Sequence, residues 1–176
     1  MKYDLQYAKT VIINEAEAVK QMESLIDSPP FTKALDAIYN CKGSLIVSGM
    51  GKAGIVGSKI SGTMASVGTP SHFIHPAEAI HGDLGRIRKD DLVMLLSFGG
   101  ETAEVIRLIN ILKQQEIKTI AITGNNQSRL SKYSDIVLHI GKLSEACPLG
   151  IAPSVSTTCM LALGDSLALT VMKARN

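Results

Sequence analysis

Along the first 26 residues the apolar positions recur at three- to four-residue steps or multiples of them: Leu5, Ala8, Ile12, Val19, Met22 and Ile26. That spacing predicts a helix over residues 5–26, ended by Ser28-Pro29-Pro30. Phe31, Ala34, Leu35 and Ile38 predict a second helix over 31–41, closed by Gly43. The period then changes. Residues 44–48 form a short continuous apolar run, the pattern of a strand buried on both faces, and similar runs follow at 71–75, 92–97, 119–123 and 136–140. Helical spacing fills the gaps at about 53–67, 102–115 and 127–133, and a long final helix covers about 154–174. Strands alternating with helices predict a parallel sheet covered on both sides. Residues 76–91 fit no period and are long for a connection, which marks them as a candidate functional loop. No repeat or linker divides the chain, so residues 1–176 read as one domain: helices over about 4–41, then an α/β core over about 44–175.

Composition excludes several classes. The chain has 176 residues, 18 Lys+Arg against 16 Asp+Glu, and a net charge of +2, which is no electrostatic footprint for nucleic acid. Zero Trp and three Phe leave few stacking platforms for single strands. Cys41, Cys147 and Cys159 are odd in number and lack a CxxC pair, so they read as reduced thiols in a cytosol. The start carries Asp4 and no apolar run, and the apolar stretch 159–172 is broken by Gly164-Asp165; neither a signal peptide nor a membrane span is expected.

In an open parallel sheet, ligands lie beyond the carboxyl ends of the strands. Three places there gather glycine with hydroxyl residues: Ser48-Gly49-Met50-Gly51-Lys52-Ala53-Gly54; Ser97-Phe98-Gly99-Gly100-Glu101-Thr102; and Glu145 to Gly150 with Ser154, Ser156 and Thr157. Glycine lets backbone amides approach an anion, and helix starts supply further donors. One such loop alone reads as a tight strand-to-helix turn; three together favour a phosphate pocket. The first also matches G-x-G-x-x-G, but the strand that should then end in a ribose-binding acid ends in His75, which weakens an NAD reading; Lys52 stands outside the P-loop spacing. Glu104 falls in the first turn of a helix, where an acid also suits the helix dipole without any catalytic role. For Glu145, in a loop before Pro148, sequence leaves a structural and a chemical role equally open. His75 and His81 are six apart with only Glu78 between them, a poor metal spacing.

The segments Gly49-Met50-Gly51-Lys52, Gly68-Thr69-Pro70, His75 to Gly85 (HPAEAIHGDLG), 97–104 and Glu145-Ala146-Cys147-Pro148-Leu149-Gly150 together resemble the sugar isomerase (SIS) domain of D-arabinose-5-phosphate isomerases, over almost the whole chain. The resemblance implies a flavodoxin-like three-layer αβα sandwich with a five-stranded parallel sheet, and a cytoplasmic homotetramer with active sites at subunit boundaries. It implies interconversion of D-ribulose 5-phosphate and D-arabinose 5-phosphate, supplying Kdo for lipopolysaccharide or capsule. The partner is a small sugar phosphate, not nucleic acid or membrane. Enediol chemistry needs a base, a proton relay and a fixed positive charge, but no redox cofactor or metal.

By the same resemblance Lys52, Glu104, Glu145 and His81 are the catalytic candidates. Glu104 is the leading base with Glu145 its competitor, Lys52 serves phosphate or enediolate charge, and His81 serves the sugar oxygens and ring opening. Ser48, Gly49, Gly51, Gly68, Thr69, Ser97, Gly99, Gly100, Thr102, Gly141, Lys142, Leu143, Ser154, Ser156 and Thr157 are the expected substrate and phosphate contacts. His75 is where zinc would bind, as an adventitious or inhibitory ion. Two departures stand out. Gly99 replaces a serine of the family's phosphate loop, removing one hydroxyl. Family members also commonly continue into a His-Pro-Gly-Gly segment and paired CBS domains, so turnover by these 176 residues alone is expected to suffer if that histidine is needed. The rivals are another phosphosugar isomerase, such as a hexulose-phosphate or heptose-phosphate enzyme, a non-catalytic sugar-phosphate sensor, and an NAD-binding module.

Overall fold

A computed structural model describes residues 2–175. Helix α1 (Leu5–Gln21) and the single turn α2 (Glu23–Ile26) replace the one helix expected over 5–26; the chain breaks at Met22, although the apolar stripe runs on through it. Helix α3 (Pro29–Tyr39) begins on its two prolines, whose fixed φ suits a first helical turn. The α/β core follows as β1 (Leu45–Gly49), α4 (Gly51–Ser66), β2 (Ser71–Phe73), α5 (Pro76–Ile80), β3 (Leu92–Leu96), α6 (Ala103–Gln114), β4 (Lys118–Thr123), α7 (Arg129–Tyr133), β5 (Ile136–His139) and α8 (Val155–Arg175).

The five strands are all parallel in the order β2-β1-β3-β4-β5. Every residue of β1 and β3 is buried, which is why those strands read as unbroken apolar runs. One face of the sheet carries α1, α3, α4 and α8 on a core that includes Leu45, Val47, Met94, Ile120 and Leu163. The other carries α5, α6 and α7 on Ile46, Val93, Leu95, Leu108 and Leu130. This is the expected three-layer αβα sandwich.

The expected loop 76–91 holds α5 and a 3-10 turn over Asp83–Arg86 instead. Pro76 starts the helix, and Asp91 closes the segment by accepting from Arg88 N and Ser44 N, both at 2.7 Å. Helix α8 is long and apolar enough to cross a membrane by length and composition, but half of it is buried inside this fold.

Candidate functional site

Helices α4, α6 and α8 all begin at the carboxyl edge of the sheet, so three helix starts face one region. Lys52 stands exposed in the first turn of α4, after β1. Glu104 stands half-buried in the first turn of α6, after the neighbouring strand β3 but in the opposite helical layer. Among the described residues neither joins an ion pair. Ser48, fully buried at the end of β1, carries a hydroxyl with no partner among the described residues. The glycines of that loop also serve packing, since a Cβ on Gly54 would collide with the Gly49 carbonyl and hold α4 away from β1.

The second loop is knitted by its own hydroxyls. Ser97 Oγ and Thr102 Oγ1 lie 2.9 Å apart, Gly100 N donates to Ser97 Oγ at 3.2 Å, and Thr123 Oγ1 donates to the Phe98 carbonyl at 3.0 Å. Gly100 has φ +68, and a side chain there would strike the Ser128 hydroxyl. Gly99, where the family has serine, faces open space. Glu101 is held by Arg129, which donates its backbone N at 2.8 Å and its Nε at 2.6 Å; those bonds lower the carboxyl's pKa.

The third loop centres on Glu145. Its Oε2 accepts from Ser154 N at 2.8 Å, Ser154 Oγ at 3.2 Å and Ser156 N at 3.3 Å, and its Oε1 accepts from the Ser156 hydroxyl. Burial raises the pKa of this carboxyl, but the bonds from Ser156 and Ser154 together outweigh it and leave the pKa below the ordinary value. Thr157 Oγ1 donates to the Ser154 carbonyl at 2.9 Å, within the same helix start. Cys159 lies one turn deeper in α8. Burial, then the charges of Glu145 and Glu15, push its thiol to about 11, which keeps it protonated.

Gly141, Lys142 and Leu143 follow β5 at the same edge, with Lys142 exposed and Leu143 packed on the core. His75 immediately precedes α5 and His81 immediately follows it, exposed. Among the described residues no three His, Cys, Asp or Glu gather as a metal site, at His75 or elsewhere.

Gly68 and Thr69 fall elsewhere. Helix α4 carries the chain across to the amino ends of the strands, where Arg175 Nη1 donates to the Gly68 carbonyl at 3.0 Å and to Thr69 Oγ1 at 2.8 Å. Within one chain this pair does not join the other expected substrate contacts. A concavity of about 460 Å³ also lies at the amino ends, between Lys113, Lys118, Tyr133 and Asp135. The chemistry gathers on an open edge instead.

Sequence reasoning missed Tyr7 and Glu15. The Tyr7 hydroxyl donates to the Ala146 carbonyl, and Thr158 Oγ1 donates to Glu15 Oε2 at 3.1 Å. No local pattern announces such contacts, which exist only because α1 packs on α8.

Residues 37–170 match the model of the SIS domain, and the chain belongs to that family. The arabinose 5-phosphate isomerase KpsF of Escherichia coli O6:H1 is 45% identical over 98% of this chain and 53% of its own length. The arabinose 5-phosphate isomerase KdsD of Yersinia pestis is 46% identical over 97% of this chain and 52% of its own. This chain thus spans about half the length of these relatives. The solved structure of an E. coli CFT073 protein in complex with arabinose 5-phosphate superposes with a TM-score of 0.90 at 40% identity, covering 97% of this chain and 90% of that one.

Proposed function

We propose that this chain is an aldose–ketose isomerase domain that interconverts D-arabinose 5-phosphate and D-ribulose 5-phosphate through an enediol. The observation that carries this reading is the presence, on one sheet edge, of two glutamates in unlike surroundings: Glu145 fixed by four hydrogen bonds and Glu104 without a cation. Unlike environments separate the roles of two carboxylates. In this reading Glu104 is the base. It removes the proton from C2 of the aldose, the electron pair forms the C1=C2 bond of the enediol as O1 gains a proton, and return of a proton to C1 with loss of the O2 proton gives the ketose. Glu145, a weaker base because its pKa is lowered, stays ionised and accepts from sugar hydroxyls. Lys52 answers phosphate or enediolate charge, His81 the sugar oxygens and ring opening. Ser48, Ser97, Gly100, Thr102, Ser154 and Ser156 frame the phosphate.

No redox cofactor is needed because only protons move. Zinc at His75 would act as an inhibitor. The reading includes a cytoplasmic homotetramer whose product feeds Kdo synthesis for lipopolysaccharide or capsule. Solvent-facing Ile12, Ile55, Leu149 and Ile151 support assembly. The test is turnover of D-arabinose 5-phosphate against other pentose and hexose phosphates, with and without excess chelator. We expect selective turnover that survives chelator and is lost on Glu104→Gln. Turnover of a hexose phosphate in preference, or full activity in Glu104→Gln, would refute the substrate or the base.

A further inference from the structure

We propose that Tyr7 is a positioning residue for Glu145, acting through the Ala146 backbone; its catalytic meaning rests on the isomerase reading above. Tyr7 sits in the first turn of α1, where its backbone N caps onto Asp4 Oδ1 at 2.9 Å. Its hydroxyl donates to the carbonyl of Ala146, 139 residues further on. The Ala146 amide is fixed as well: it donates to Ser154 Oγ at 3.1 Å, and that hydroxyl donates to Glu145 Oε2 at 3.2 Å. Carboxylate, serine hydroxyl and the Ala146 N–H are thus joined, through the Ala146 Cα, to its carbonyl and the phenol.

A second tie lies about two helical turns along α1. There Glu15 accepts from Thr158, in the same turns of α8 that present Ser156 N and its hydroxyl to Glu145. Helix α1 thus holds both halves of the Glu145 cradle, the loop through Tyr7 and the helix start through Glu15. A catalytic carboxylate works only if held within a fraction of an ångström, and its supporting shell sets that tolerance. Tyr7 is 37% exposed, so the loss of its hydroxyl leaves no buried cavity.

The test is Tyr7→Phe, alone and with Glu145→Gln. We expect kcat on D-arabinose 5-phosphate to fall about 5-fold with KM and melting temperature little changed. In the Glu145→Gln background the same substitution should have no further effect, because the two act as a unit. An unchanged kcat, or the same fractional loss in both backgrounds, would overturn the proposal. If the parent chain turns over no pentose phosphate, the isomerase reading fails, and the carbon-13 titration of the Glu145 carboxyl decides this one. The parent should titrate below the ordinary glutamate range and Tyr7→Phe closer to it; an identical titration refutes the positioning.

Discussion

Three acids at the carboxyl edge meet three different surroundings. Glu101 is tied to Arg129, Glu145 to the start of α8, and Glu104 to no cation among the described residues. The Glu145 cradle has a consequence for stability. Its folded pKa lies below the ordinary 4.5, so its ionised form contributes stability that is fully present above that value and is lost as pH falls through the lower folded one. Urea unfolding of the parent and of Glu145→Gln from about pH 6 to about pH 3 checks this: the parent's advantage should shrink on the acid side of about 4.5. Glu101 shifts in the same direction but is common to both chains and cancels. A pH-independent difference would show that Glu145 contributes through shape rather than charge.

At the scale of elements, one helix carries glycines of opposite meaning. In α4, a Cβ on Gly54 would meet the backbone carbonyl of Gly49, which cannot move away, whereas a Cβ on Gly62 meets nothing within 4 Å. Alanine is worth about 1 kcal/mol over glycine in a helix interior, and overpacking costs about 1–3 kcal/mol or more. Gly62→Ala should therefore raise the melting temperature and Gly54→Ala lower it; a shift of the same sign for both would refute the close contact of α4 with β1. The long elements were legible because their apolar periods are clean, and strand limits fall within one or two residues of the apolar runs. The break at Met22 was not, because the stripe on one side of the helix continues across it. Helix α5 escaped because a single turn is too short to show a period. Of the site, residues directly after strands were legible, since the topology fixes where those positions go. The position of Gly68 and Thr69 was not legible, because a resemblance attaches residues to a ligand without saying at which end of a 16-residue helix they lie.

The whole molecule exposes apolar side chains around its chemical edge: Ile55 on α4, and Leu149 and Ile151 in the loop after Glu145, are 67%, 77% and 76% exposed. Large exposed apolar side chains beside a site are what a self-association surface presents, which supports the proposed assembly. Light scattering after size exclusion should give a multimer, and Ile55→Asp should shift it toward smaller species with a parallel loss of turnover. A monomeric parent would refute the assembly. The packing of α1 on α8 bears on how the protein is made. Glu15 and Thr158 lie 143 residues apart. A polypeptide emerging from the ribosome amino end first presents the inner face of α1 long before α8 exists to cover it. The Glu145 cradle therefore closes only once α1 and α8, made far apart in time, have packed together.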